Sequence, residues 1–209
     1  MIKAIILDWS GVVSNDLELV YEITGKVFDR LGLEFMSIEE FRDRFDLPYM
    51  DFYRSMGITL EKAELDHMFK KLFVENGKKA APFPFAKRML LWLKERGIKL
   101  AVCSSHPQDF LEKKIIDYGL AGFFSHTMGS AHDKREFING LVEKIGARKD
   151  ETLLVGDMAH DIEAGSLAGI RTAAVLSGYH AREKLLGQEP NFILNDIRDL
   201  KFIVGGCYA

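Results

Sequence analysis

Four short apolar runs punctuate the chain, at residues 3–7, 98–103, 152–155 and 172–176, and none alternates in the manner of a half-exposed strand. Uninterrupted runs of this length read as strands covered on both faces. Between the later runs the period becomes that of a helix. Residues 86–95 gather Met89, Leu90 and Leu93 ahead of Gly97, residues 107–118 gather Phe110, Leu111, Ile115 and Ile116 ahead of Gly119, and residues 136–145 end at Gly146. A glycine just past the last periodic residue is a helix stop, because it takes the left-handed conformation at no steric cost. Strands alternating with helices predict an α/β core: a Rossmann-like parallel sheet with helices on both faces, since parallel neighbours need a crossover of a dozen or more residues.

Residues 16–80 break that rhythm with amphipathic helix patterns and no strand. One pattern spans 16–31. A second opens at Ser37, with Glu40 placed for a capping box, and a third runs from Thr59 to Asn76. The expected organisation is an α/β core of residues 1–15 and 81–209 carrying an α-helical insert of residues 16–80. Hinges fall near 14–16 and 80–84, where Pro82 and Pro84 mark the return.

The chain has 209 residues, 47% of them apolar and 28% charged, a balance that builds a folded core and excludes intrinsic disorder. Lys plus Arg total 28 against 31 Asp plus Glu, so no basic excess advertises nucleic acid. The apolar runs fall far short of the roughly 20 residues a membrane span needs, and residues 1–8 lack a leader pattern. Cys103 and Cys207 have neither metal nor disulfide spacing, as in a reducing compartment. The expectation is a cytoplasmic protein without nucleic-acid or membrane partners.

Ligands of open parallel sheets gather beyond the carboxyl ends of the strands. Polar residues fall there four times: Asp8 after the first run, Ser104 with Ser105 after the second, Lys134 in a later loop, and Asp157 with Asp161 after the third. Each alone has an ordinary explanation, since Asp and Ser cap turns and lysine is usually solvated. Their order, timed to successive strand ends, makes the set specific.

That order resembles the haloacid dehalogenase-like (HAD) superfamily, especially its phosphoglycolate phosphatase-like members with a helical cap. The resemblance is carried by Leu7-Asp8-Trp9-Ser10-Gly11, Val102-Cys103-Ser104-Ser105, Lys134 and Val155-Gly156-Asp157-Met158-Ala159-His160-Asp161. It implies that the insert is a cap and that Asp8 is a nucleophile forming an aspartyl-phosphate. Ser104, Ser105, Ser10 and Lys134 would contact a small phosphorylated metabolite. Mg²⁺ would be held by Asp8, Asp157, Asp161 and the backbone carbonyl of Ser10. Such chemistry is physically coherent: a phosphate monoester is anionic, a hard cation with oxygen ligands compensates its charge, and a lysine stabilises the transition state.

One position departs from the pattern. Phosphatases of the superfamily usually carry a second Asp two residues after the nucleophile as general acid and base, a role worth about 10² to 10⁴ in rate, and this chain has Ser10. Four readings stand open on the sequence. The protein is a slow phosphatase, or one restricted to good leaving groups such as acyl or aryl phosphates. Alternatively His106, His132 or His160 supplies the proton. A third reading is carbon–phosphorus cleavage, because Asp8-Trp9-Ser10-Gly11 is similar to the opening of phosphonoacetaldehyde hydrolases. That reaction requires a desolvated lysine, sought among Lys26, Lys62, Lys70, Lys71, Lys78 and Lys79. The fourth is a catalytically retired binder of a metabolite or protein partner. Haloalkanoate dehalogenation fits less well with the paired Asp157 and Asp161. In the insert, Phe45, Tyr49, Phe52, Tyr53 and Arg54 either select substrate or pack the insert's own core, and residues 42–54 are expected to form a substrate-facing loop.

Overall fold

The computed structural model describes residues 1–206, so Cys207 lies outside the described residues. In chain order the elements are β1 (Ala4–Leu7), β2 (Ser14–Asn15), α1 (Leu17–Arg30), α2 (Ile38–Arg44), α3 (Tyr49–Ser55), α4 (Lys62–Asn76), β3 (Ala81–Pro82), α5 (Ala86–Glu95), β4 (Lys99–Cys103), α6 (Gln108–Asp117), β5 (His126–Met128), α7 (Ile138–Ile145), β6 (Thr152–Gly156), α8 (Ala159–Leu167), β7 (Arg171–Val175), α9 (Arg182–Leu186), β8 (Phe192–Leu194) and α10 (Leu200–Val204). Six strands form one parallel sheet in the order β5-β4-β1-β6-β7-β8.

β1 is central and wholly buried because its alternating side chains serve two layers. Ile5 and Leu7 pack with Leu90 and Leu93 of α5 and Leu111 of α6. Ala4 and Ile6 face the other way, onto Leu141 and Val142 of α7 and Ala164 of α8. Covering both faces removes any need for polar alternation, which is why the strand reads as a continuous apolar run. Each fully buried Leu or Ile contributes about 1.5–3 kcal/mol, so the sheet centre is the anchor of the fold. The four expected strands are present to within a residue or two. β5 and β8 were not expected: each has three residues, lies at a sheet edge and is mostly half-buried, leaving no apolar run to detect.

Helices α1 to α4 occupy the insert, reached through a ribbon in which β2 and β3 pair antiparallel, Ser14 opposite Pro82 and Asn15 opposite Ala81. Ser37 caps α2 by accepting from the backbone N of Glu40 at 3.2 Å. The segment expected as a loop ends instead in α3, whose Phe52 and Tyr53 pack inward while Asp51 and Arg54 stay exposed. The insert has its own core, including Ile23, Val27, Phe28, Phe41, Phe52 and Leu65, and Met158 and Tyr179 join it from the strand ends. The insert is therefore seated on the carboxyl edge of the sheet. Among the described residues, no helix is long and apolar enough to cross a membrane.

Candidate active site

Strand register assembles the site. Leu7 stands opposite Val102 of β4 and Val155 of β6, so Asp8 is level with Cys103 and Gly156, and Ser104 and Asp157 follow one residue on. The backbone N of Asp8 donates to the carbonyl of Val155 at 2.9 Å, extending the ladder by one residue. Lys134 opens a single 3-10 turn capped by Asp133. Its Nζ donates to Asp8 Oδ1 at 2.6 Å and to Asp161 Oδ1 at 2.5 Å, and its backbone N donates to His160 Nε2 at 3.2 Å. Asp161 Oδ2 accepts from the N of Met158 at 3.1 Å, and Asp157 Oδ2 from the N of Tyr179 at 2.7 Å. Gly11 and Gly178 allow their loops to close on Asp157: a Cβ would stand 2.3 Å from its Oδ2 at Gly11, where φ is +69°, and 2.0 Å from it at Gly178.

Asp8, Asp157 and Asp161 can each direct one oxygen to a common point, these oxygens lying within 4.8 Å of one another. All three are buried. Burial raises the Asp8 pKa in spite of Lys134, and burial together with Asp8 and Asp161 raises that of Asp157 well above the usual carboxylate range. Burial disfavours the Lys134 ammonium, yet Asp161 and Asp8 outweigh it and push its pKa up. Three carboxyl groups thus face one ammonium in a buried site. Asp157 Oδ1 is buried without a hydrogen-bond partner, an expensive state unless something positive meets it. The cluster contains only hard oxygen donors, so its residues fit a divalent cation of the Mg²⁺ type rather than a soft metal.

A family model described as haloacid dehalogenase-like hydrolase matches residues 5–175, which include Asp8, Ser104, Lys134, Asp157 and Asp161. The chain belongs to the haloacid dehalogenase-like hydrolase family. Its relatives include a phosphoglycolate phosphatase of Aquifex aeolicus, 31% identical over 214 residues, covering 95% of this chain and 94% of that protein. The pyrophosphatase PpaX of Oceanobacillus iheyensis is 26% identical over 213 residues, covering 100% and 99%. In fold the chain is similar to a haloacid dehalogenase-like protein of unknown function from Agrobacterium tumefaciens, with a TM-score of 0.82 at 19% identity and 100% coverage of both chains.

In this haloacid dehalogenase-like hydrolase, Ser104 sits at the tip of β4, 2% exposed, with its N on the carbonyl of Met128 at 2.8 Å and its Oγ accepting from the N of His106 at 3.3 Å. Ser105 is half-buried beside it. Ser10 points its Oγ at Asp16 Oδ2, 2.9 Å away, and the same oxygen is 3.1 Å from His106 Nε2. Asp16 was not among the expected site residues. A tight turn, with the N of both Val13 and Ser14 on the carbonyl of Trp9, folds residue 16 back beside residue 10. Burial pushes the Asp16 carboxyl up to about 6, with hydrogen bonds from Ser10, Ser14 and Tyr179 opposing. Burial pushes His106 down to about 4, so its ring is neutral near pH 7. Of the other two histidines considered as proton donors, His132 is exposed and His160 holds the backbone of Lys134.

The insert's aromatic residues pack its own core: Phe45, Phe52 and Tyr53 are buried, and Tyr49 bonds Asp66. Arg54 is exposed beside Asp51 at 3.5 Å. No candidate Schiff-base lysine is buried; Lys26 is half-buried on Glu22 and the other five are exposed. The insert's arginine that does reach the core is Arg42, whose Nη2 donates to the carbonyls of Leu176 at 3.0 Å and His180 at 3.1 Å.

Proposed function

We propose that the protein is a Mg²⁺-dependent phosphatase of small phosphate esters, with Asp8 as nucleophile and the helical insert as a cap. The observation that carries this reading is the buried convergence of Asp8, Asp157 and Asp161 with Lys134 bridging two of them. Relatives described as phosphoglycolate phosphatase and pyrophosphatase support it.

An Asp8 carboxylate oxygen attacks phosphorus, the bond to the leaving oxygen breaks, and the phosphoryl group is held as an aspartyl-phosphate. Ser104 Oγ, Ser105 and Lys134 Nζ bind the phosphoryl oxygens, Lys134 offsetting charge that develops as the bonds change. Asp8, Asp157, Asp161 and the carbonyl of Ser10 would hold Mg²⁺, which when bound would supply charge neutralisation and Lewis-acid polarisation of the phosphoryl group.

The leaving oxygen needs a proton that the Ser10 hydroxyl cannot supply from its own acidity. Asp16 lies one hydrogen bond behind it, and a carboxyl pushed up to about 6 carries a proton in part of the molecules near neutral pH. Ser10 passes its proton to the leaving oxygen and takes one from Asp16. During hydrolysis of the aspartyl-phosphate, water's proton returns along the same path, restoring Asp16 and releasing phosphate. His106, neutral and 3.1 Å from Ser10 Oγ, holds the hydroxyl in line. A serine at residue 10 is thereby compatible with turnover. Phosphonate cleavage is less well supported, because the buried lysine of the site, Lys134, is tied to two carboxylates and held as an ammonium.

The test is Mg²⁺-dependent phosphate release across a panel of small esters, with wild type and Asp8→Asn. Release that requires Mg²⁺ and vanishes in Asp8→Asn supports the reading. Full activity in Asp8→Asn overturns it.

A further inference from the structure

Tyr179 stands where the insert, the carboxylate cluster and Asp16 meet. Its backbone N donates to Asp157 Oδ2 at 2.7 Å, and its hydroxyl donates to Asp16 Oδ1 at 3.3 Å. Its ring lies against that of Phe45, just past α2, with centroids 5.5 Å apart. It is 5% exposed, so these contacts are largely shielded from solvent.

The next residue repeats the arrangement. The backbone N of His180 donates to the carbonyl of Asp157 at 3.2 Å. Its Nδ1 accepts from the N of Ala159 at 2.9 Å, which leaves Nε2 to donate to the carbonyl of Phe45 at 2.8 Å. Lys184 Nζ reaches the carbonyls of Asp43 at 2.9 Å and Phe45 at 3.1 Å, and Arg42 answers from the insert by binding the carbonyls of Leu176 and His180. Segment 42–46 is clasped to loop 176–180 from both sides, and the same loop orients Asp157.

We propose that Tyr179 is a positioning residue that couples the seating of segment 42–46 to the alignment of Asp157 and Asp16. This inference rests on the reading of Asp157 as a metal ligand. Asp8, Ser104, Lys134, Asp157 and Asp161 are buried, Asp157 completely, while Ser10 and Ser105 are half-buried, so lifting of the insert would widen access to the carboxylates. Lifting segment 42–46 removes the Phe45 ring from Tyr179 and the Phe45 carbonyl from His180. The loop then loses these two fixed points together with the Arg42 bonds to the carbonyls of Leu176 and His180, and the amide that orients Asp157 loosens with it. Linkage makes the coupling reciprocal: if a seated segment improves cation binding, a bound cation must favour the seated segment by the same factor.

Mg²⁺ alone is the probe, on the full chain. Hydrogen exchange at the Phe45 amide, which bonds the carbonyl of Phe41 at 2.8 Å, reports the segment, and calorimetry reports the ion. The expected result is that Mg²⁺ slows exchange across 42–46 in wild type and leaves it unchanged in Tyr179→Ala. Phe45→Ala, which touches none of the three carboxylates, weakens Mg²⁺ binding by about fivefold or more. Tyr179→Phe keeps the ring and the backbone N–H and so keeps Mg²⁺ affinity, while kcat falls through the lost bond to Asp16. Exchange across 42–46 that is indifferent to Mg²⁺ in wild type overturns the coupling without requiring any variant to fold. Unchanged Mg²⁺ affinity in folded Phe45→Ala also overturns it. Failure of wild type to bind Mg²⁺ removes the metal reading itself, and the coupling falls with it.

Discussion

Ser10 Oγ lies 2.9 Å from Asp16 Oδ2, so a carboxyl stands one hydrogen bond behind the place where the family pattern expects one. The two residues are six apart in sequence and meet because the chain turns sharply between them. A relay through a hydroxyl is most needed when the leaving oxygen is basic. Asp16→Asn should therefore lower kcat for alkyl phosphates by about 10- to 100-fold and change aryl phosphates much less. Ser10→Asp in the same chain should restore alkyl phosphate turnover, since it supplies the carboxyl directly. A leaving-group series on wild type, Asp16→Asn and the double variant reads this out, and equal losses for alkyl and aryl esters would show that Asp16 is merely structural.

The Asp16 carboxyl also sets a pH dependence. Its folded pKa of about 6 exceeds the ordinary 3.8, so the folded state holds this proton more tightly than the unfolded chain. That stabilisation is complete below about pH 4 and is lost as pH rises through 6. The rise from 3.8 to about 6 is worth up to about 3 kcal/mol. Asn at residue 16 has no such loss. Urea unfolding in chelator should show Asp16→Asn gaining on wild type between pH 4 and 7, and parallel stability curves would contradict the raised carboxyl.

Much of this architecture is legible in the sequence because burial on both faces leaves a plain mark: residues 4–7, 100–103 and 153–155 are apolar without interruption, and Asp8, Ser104 and Asp157, which follow them, are candidate site residues. The edge strands β5 and β8 leave no such mark, being short and mostly half-buried. α3 was missed since its seven residues are too few to establish a helical period. Asp16 was read as a hinge and as the start of the first helical pattern, not as a site residue, because its nearness to Ser10 is produced by the turn between them rather than by any spacing rule. Tyr179 escapes sequence reasoning for a different reason: the atom it offers Asp157 is a backbone N–H, which almost any residue provides.

Three carboxylates crowd one buried site at a cost in stability. Asp157 is held well above the usual carboxylate range by burial and by Asp8 and Asp161, and its Oδ1 has no partner. Asp157→Asn should therefore unfold no earlier than wild type in chelator, and about 1–2 kcal/mol later if the amide packs without strain, because one buried carboxylate is removed. The rise in melting temperature that Mg²⁺ gives wild type should be absent from the variant. Thermal melts with and without Mg²⁺ decide it; an equal Mg²⁺ shift in both proteins would exclude Asp157 as a ligand.

Lys134 is the counterweight in that cluster, and its removal should behave oppositely. Lys134→Met keeps the buried methylene stem but leaves Asp8 and Asp161 without the ammonium that each contacts. Breaking a buried pair by deleting one partner costs about 3–5 kcal/mol, since the remaining charges stay desolvated. The attraction of Lys134 lowers the Asp8 pKa against the effect of burial, so in the variant that carboxyl rises further and protonates more readily. Lowering the pH from 7.5 to 5.5 should then recover part of the lost stability, and so should Mg²⁺ if it binds these carboxylates, because it would bring positive charge back to them. Chemical unfolding of Lys134→Met at the two pH values, with and without Mg²⁺, measures both recoveries. A loss of stability that neither acid nor Mg²⁺ relieves would mean that Lys134 acts through packing rather than through its charge.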